Sequence, residues 1–265
     1  MLRIESMTVD VLLPTSADEA ASLYGSGEDI TVFAGGTILL PEIAAGRCSP
    51  RRALMLHRTG LDRVSVSDDR VVIGAMVSIS ALLADPPDEL LARFAAHIAD
   101  NEVRRNATVG GNICAPAGRE AQRGDLGAPL IALGARVRST GSGGERTEPL
   151  EDFLAGDRSG RLVLDVEYDR FERRSGASGL RRRHAHSYAI AAVAVSSRTD
   201  GSELRVAVSG VGPTAVRSRA VEKSRDAASV LTDVALEDDA VASADYRRRV
   251  LPLLVQEALD QLEIA

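Results

Sequence analysis

The sequence predicts an α+β fold in which two small α/β subdomains precede a smaller α+β domain. Three observations carry this. A capped helix runs into a β-branched strand and a glycine turn within the first 45 residues; a hairpin pattern over 64–74 is followed by helical spacing; and two alternating runs flank Thr199-Asp200-Gly201-Ser202 ahead of a helical C-terminus.

In chain order, Ser16-Ala17-Asp18-Glu19 reads as a capping box, with the serine oxygen on an amide three residues on and the glutamate reaching back, so a helix is expected to about Tyr24. Ile30 to Phe33 is a short strand. It runs into Ala34-Gly35-Gly36-Thr37, where Thr37 can cap a helix through Leu39 and Leu40 to about Ala45. Ala53 to Leu56 is a further apolar run. Val64-Ser65-Val66 and Val71-Val72-Ile73-Gly74 pair around Asp68-Asp69, Ser78 or Ser80 caps a short helix, and Leu90, Leu91, Phe94, Ala95 and Ile98 fall on one helical face.

That helix delivers the chain to Asn106-Ala107-Thr108-Val109-Gly110-Gly111-Asn112-Ile113. Ala115 to Gly124 reads as a loop, Asp125 can cap a helix through Leu130 to Leu133, and Ala135 to Ser139 returns as a strand. A short helix over Leu150 to Leu154 and an alternating strand over Arg161 to Tyr168 follow. The expected division is an N-terminal domain over 1–160, with subdomains of about 1–60 and 61–160, and a C-terminal domain over 161–265. In the latter, Tyr188 to Ser196 and Leu204 to Ser209 suggest an antiparallel sheet. Helices are expected over Ser218 to Leu231 and Ala244 to Leu262, with Val250, Leu253, Leu254, Leu259 and Leu262 packing on that sheet.

Composition narrows the function. A net charge of −6 argues against a nucleic-acid binder, although Arg170 to Arg183 is locally basic. No apolar run approaches the roughly 18–20 residues of a membrane span, and Met1 to Ser6 lacks a secretory pattern, so a cytoplasmic location is expected. The two cysteines, Cys48 and Cys114, cannot supply the four ligands of an all-cysteine iron–sulfur cluster.

Chemistry points to the two Gly-Gly turns. Without Cβ atoms the backbone can curl until successive N–H groups converge on an anion, and each turn is followed by a residue, Thr37 or Asn112, able to complete the hydrogen bonding of a phosphate. Taken singly, each pair reads first as a tight turn or a close backbone approach. There is no GxGxxG fingerprint and no GxxxxGK[ST] loop, which removes the main support for Rossmann and nucleotide-triphosphatase readings.

The colinear order of Ala-Gly-Gly-Thr at 34–37, Ile-Gly-Ala at 73–75, Val-Arg-Arg-Asn-Ala-Thr-Val-Gly-Gly-Asn at 103–112, Asp125 and Ala-Leu-Gly-Ala at 132–135 resembles the FAD-binding medium subunit of molybdenum hydroxylases, the xanthine dehydrogenase and carbon monoxide dehydrogenase flavoproteins. The resemblance continues through Leu150 to Gly156 and Val211 to Ala220 and so covers nearly the whole chain. It implies an FAD-binding domain of the PCMH, vanillyl-alcohol-oxidase-like type. It further implies that Phe33, Ala34, Gly35, Gly36, Thr37, Ile38 and Leu39 form one diphosphate loop, and Thr108, Gly110, Gly111 and Asn112 the other. By the same resemblance Asp125 lies near the cofactor's sugar-like parts, Tyr188 against the isoalloxazine ring, and Ile98 and Val163 at apolar positions flanking the flavin, although simple core is the ordinary reading of both.

Relatives often carry a lysine where Leu180 stands here, with Arg181 beside it, so Arg181 is the candidate cation near the flavin. Arg181, Arg182 and Arg183 with His184 and His186 read as a solvated loop, or as a contact for a nicotinamide dinucleotide or an acidic partner. The resemblance implies an electron-transferring flavoprotein subunit. Its partners would be an iron–sulfur small subunit and a molybdenum-cofactor large subunit, and its acceptor NAD, oxygen or a quinone. A stand-alone flavin oxidoreductase and a flavin-free structural subunit are the alternatives.

Overall fold

A computed structural model describes residues 9–115, 124–182 and 188–264. Its first unit is a three-stranded parallel sheet in the order β1-β3-β2, from β1 (Asp10–Leu12), β2 (Ile30–Phe33) and β3 (Arg52–Met55). Helix α1 (Ala17–Tyr24) is capped as expected by Ser16, whose Oγ accepts from the Glu19 N–H. The Glu19 carboxylate reaches one residue further back than a capping box requires, to the N–H and hydroxyl of Thr15. Helix α2 (Leu39–Ala44) starts from Ile38 with no side-chain cap, so Thr37 does not play the capping part expected of it.

The second unit is an antiparallel sheet in the order β4-β5-β8-β6-β7, from β4 (Val64–Val66), β5 (Arg70–Gly74), β6 (Arg136–Gly141), β7 (Arg146–Pro149) and β8 (Arg161–Asp169). Between β5 and β6 come α3 (Ile79–Ala84), α4 (Glu89–Ala95), α5 (Asn101–Asn106), α6 (Val109–Ile113) and α7 (Gly127–Ala132); α8 (Leu150–Ala155) follows β7. Ser78, Asp88, Asp100 and Thr108 each cap the helix that begins beside them. Asp125 caps nothing: α7 begins from Leu126.

A cut at residue 160 would divide this sheet, because β8 is its central strand; sheet membership changes between Asp169 and Arg173. Strand β8 also joins two cores. Leu162 and Leu164 pack with Tyr24 and Leu54 of the first unit, whereas Val163 and Val166 belong to the large central core, and a register shift opposite Arg138 and Ser139 accounts for the broken alternation.

The third unit is an antiparallel sheet in the order β12-β11-β10-β9, from β9 (Arg173–Arg181), β10 (Ala189–Arg198), β11 (Arg205–Ser209) and β12 (Val216–Arg217). Helix α9 (Arg219–Ser224), a 3-10 turn over Ala227–Thr232 and α10 (Ala244–Ile264) complete it. The face of α10 that packs on the sheet carries Leu251, Leu254, Val255, Ala258 and Leu262; Leu253, expected inside, is 70% exposed. Every residue of α7 is buried, between the second unit and strands β10 and β11. His184 and His186, with Arg183, lie outside the described residues.

Candidate functional site

Where the three units meet, a cleft of about 670 Å³ opens. That lies in the upper half of the roughly 300–1,000 Å³ typical of small-molecule sites. The first unit contributes Ala34 to Leu39, the second Thr108, Gly110, Gly111, Asn112 and Asp125, and the approach to β10 contributes Tyr188. Of the residues expected at the site, Phe33 and Arg181 fall outside this lining: Phe33 is half-buried in β2, and Arg181 stands behind the wall at the end of β9. Ile98 and Val163 line the cleft while being almost wholly buried, so for both the core reading and the cleft reading hold.

The two glycine loops are built differently. In the first, a Cβ on Gly35 would sit 1.9 Å from the carbonyl oxygen of Asn106, so this glycine exists to let the loop press on the end of α5. Gly36 has a φ of +72°, which any L side chain adopts at a cost. The result is a loop whose N–H groups at Gly35, Gly36, Thr37 and Ile38 have no hydrogen-bond acceptor among the described residues.

In the second loop the amides of Val109 to Asn112 are all engaged. Val109 donates to the Val77 carbonyl at 2.9 Å, Gly110 to Ala75 at 2.8 Å, Gly111 to the Thr108 hydroxyl at 3.1 Å and Asn112 to the Thr108 carbonyl at 2.9 Å. A Cβ on Gly110 would come within 2.8 Å of Ala75, so this glycine too serves close packing. Gly111 lines the cleft beside it, and there an added Cβ would meet only the Thr108 hydroxyl at 3.0 Å. The Asn112 side-chain oxygen accepts from the Leu126 N–H at 2.9 Å and thereby fixes the start of α7, the task expected of Asp125.

Fixed positive charge in the lining comes from Arg47 and Arg161, and both are committed elsewhere. Arg47 is folded onto Glu42 through two hydrogen bonds of 2.6 and 3.0 Å. Arg161, 9% exposed, spends its guanidinium on Ser139, Ser142 and Gly144, closing the turn after β6. An anion here would therefore be held by backbone dipoles. Nothing in the sequence around Arg161 distinguishes it from a surface arginine on an alternating strand.

The remaining polar groups are tuned by burial. The surrounding protein pushes the Asp125 carboxyl up to about 6, and Arg181 opposes that push. The Arg181 Nε is buried with no hydrogen-bond partner among the described residues. His97 is held below its ordinary value by burial and by the positive charge of Arg181 and Arg104, which favours the neutral imidazole. Cys114 faces the cleft, and enclosure there raises its thiol to about 11, so it stays protonated. Among the described residues no cluster of three or more potential metal ligands occurs.

The family model for the FAD binding domain in molybdopterin dehydrogenase matches residues 6–167. The chain belongs to this family. It is accordingly an FAD-binding subunit of the molybdenum hydroxylase type, an oxidoreductase subunit of the xanthine dehydrogenase family, and its cofactor is FAD. The carbon monoxide dehydrogenase medium chain of Hydrogenophaga pseudoflava is 29% identical over 276 residues, covering 93% of this chain and 94% of the relative. The 6-hydroxypseudooxynicotine dehydrogenase complex subunit alpha of Paenarthrobacter nicotinovorans is 29% identical over 280 residues, covering 94% and 93%. A solved carbon monoxide dehydrogenase from Hydrogenophaga pseudoflava, lacking the Mo-pyranopterin moiety, contains a chain that superposes with a TM-score of 0.84 at 27% identity, covering 97% of each. The α+β architecture is thus that of the FAD-binding medium subunits.

The residues present fit FAD. Four open amides offer an anion site without side-chain cations, and Ile98 and Val163 offer an apolar wall beside Tyr188.

Proposed function

We propose that the open amides of Gly35, Gly36, Thr37 and Ile38 hold the FAD diphosphate, and that Thr108, Gly110, Gly111 and Asn112 form the wall facing them. The flavin ring lies against Ile98 and Val163 next to Tyr188, and Asp125 serves the polar part of the cofactor, with Arg181 setting the charge behind it. The observation that carries this is the run of four unengaged N–H groups at the rim of a cleft whose arginines are already paired. Converging amides stabilise an anion without reorganising.

In this reading the chain passes electrons within a cytoplasmic heteromeric complex. They arrive from iron–sulfur clusters of a small subunit, after oxidation of substrate at a molybdenum-cofactor large subunit, and leave for NAD, oxygen or a quinone. FAD supplies the redox chemistry, and the protein supplies binding, orientation and electrostatics. Three observations support the division of labour: the family is that of molybdopterin dehydrogenases, a relative is a medium chain, and this chain carries two cysteines. The two relatives differ in the substrate their names state, so the substrate is a property of the partners.

The test is purification of the tagged chain with whatever accompanies it, then absorbance and mass identification of released cofactor. The expected result is FAD together with an iron–sulfur protein and a large molybdenum protein. Cys48 lines the cleft, so FAD should also slow its labelling by a maleimide. A colourless folded chain whose Cys48 reacts equally with and without added FAD would overturn the assignment.

A further inference from the structure

We infer that Arg104 is a positioning residue that clamps the turn 96–99, and through it the Ile98 wall of the cleft. The guanidinium of Arg104 sits under that turn. Its Nη1 donates to the carbonyls of Ile98 and Ala99, both at 2.9 Å, and to that of Ala96 at 3.3 Å, while Nη2 donates to the Asn101 side chain at 2.6 Å. Three carbonyls from four consecutive residues are thus turned toward one cation. The other side of the turn then presents His97, Ile98 and Ala99 to the cleft.

The clamp has work to do because the turn is strained. Ala99 has a φ of +42°, a region that non-glycine residues adopt only at a cost. The strain is localised by its neighbours: Ile98 is 6% exposed and locked in the central core, and Asp100 caps α5 by accepting from the Val103 N–H at 2.9 Å. The chain must pass from a buried isoleucine to a helix cap within two residues, and the left-handed Ala99 makes that reversal.

Arg104 also ties the two ends of the site together. Helix α5 has six residues and is about 9 Å long. From its last turn Arg104 reaches back to the carbonyls that precede the helix and holds the apolar wall; at its end Asn106 and Ala107 meet Gly35 of the open amide loop. Among the described residues neighbouring Arg105 hydrogen-bonds only to Glu102, at 3.3 Å, with its side chain 69% exposed, which makes it the matched control.

This inference rests on the proposed seating of the flavin against Ile98, and two readouts separate the two. In the full chain without FAD, amide hydrogen exchange over residues 96–101 tests the clamp itself: Arg104→Ala should exchange at least tenfold faster than wild type, and Arg105→Ala should match wild type. In the FAD-loaded chain, Arg104→Ala should bind FAD at least tenfold more weakly and alter the visible circular dichroism of the bound flavin. Arg104→Lys, a single point donor, should fall between. If Arg104→Ala does not fold, Arg104→Lys carries both measurements. Adding Ala99→Gly to the weakened variant should recover part of the FAD affinity, because glycine holds the positive φ unaided. Unchanged exchange over 96–101 would overturn the clamp. Faster exchange with unchanged FAD affinity and dichroism would overturn its role at the cofactor while identifying the seating of the flavin as the error.

Discussion

The two glycine loops look alike as sequence and do opposite jobs. Among the described residues the loop over 34–38 leaves four successive amides without an acceptor, whereas the second loop spends those of Val109 to Asn112 on Ala75, Val77 and Thr108. In the proposed assignment the first loop is the binding surface and the second the buttress it leans on. The contact between them is the Gly35 backbone against Asn106. A Gly-Gly pair therefore marks close backbone approach at least as often as anion binding, and hydrogen-bond accounting is what tells them apart.

The largest effect should come from breaking the contact between the loops. Gly35→Ala places a Cβ 1.9 Å from a backbone oxygen that cannot step aside, so we expect a loss of stability at the upper end of the roughly 1–3 kcal/mol typical of overpacking, together with loss of FAD. Urea denaturation and cofactor content per folded chain measure both. A variant with wild-type stability and FAD would break the comparison at its joint.

Gly111→Val should separate binding from folding. Its branched side chain would crowd the Thr108 cap, at about 1 kcal/mol, and project into the cleft. The expected result is a folded chain that no longer retains FAD, read from absorbance against far-ultraviolet circular dichroism. Retention at wild-type occupancy would remove Gly111 from the cofactor wall.

The smallest effect is electrostatic. Asp125 has a folded-state value raised from 3.8 to about 6, so between those limits the folded chain binds the proton more tightly than the unfolded one, and stability falls as pH rises through the window. Asp125→Asn should therefore raise the Tm of the FAD-free chain by a few degrees at pH 7.5 and leave it unchanged near pH 4. The same difference at both pH values would mean that charge is not the cause.

Much of the fold is legible in the residues themselves. Ser16 marks α1, the β-branched run at 30–33 marks β2, and alternation marks β10 and β11. Strand β9 is hidden because Arg173 to Arg181 mixes charge with Gly176 and Gly179, a pattern that reads as loop. The reason is tertiary: a Cβ on Gly176 would lie 2.1 Å from the Ala258 carbonyl, so the glycine is what lets α10 approach the strand. Helix α5 escapes notice because it is short and buries none of its residues, although Asp100 is a cap signal. Thr37 and Asp125 mislead in the same way as each other. Each is a good cap by residue type, yet α2 starts without a side-chain cap and α7 is pinned by Asn112 from another element.

At the site, the residue types and their order are legible, but their division of labour is not. Ala34 to Leu39, Thr108, Gly110 to Asn112, Asp125 and Tyr188 all line one cleft, the set that the family resemblance implies. That Asn112 holds Leu126, that Arg161 closes a turn and that Arg104 grips three carbonyls depends on contacts across 14, 22 and 5 to 8 residues of chain, which no local pattern encodes.

If the amides of the first loop hold the FAD diphosphate, site-resolved amide hydrogen exchange with and without FAD will register it there. Residues 35–38 should be unprotected without FAD and become strongly protected with it, while residues 109–112, already bonded within the chain, should change little. Protection that appears at 109–112 and leaves 35–38 exchanging freely would contradict the account.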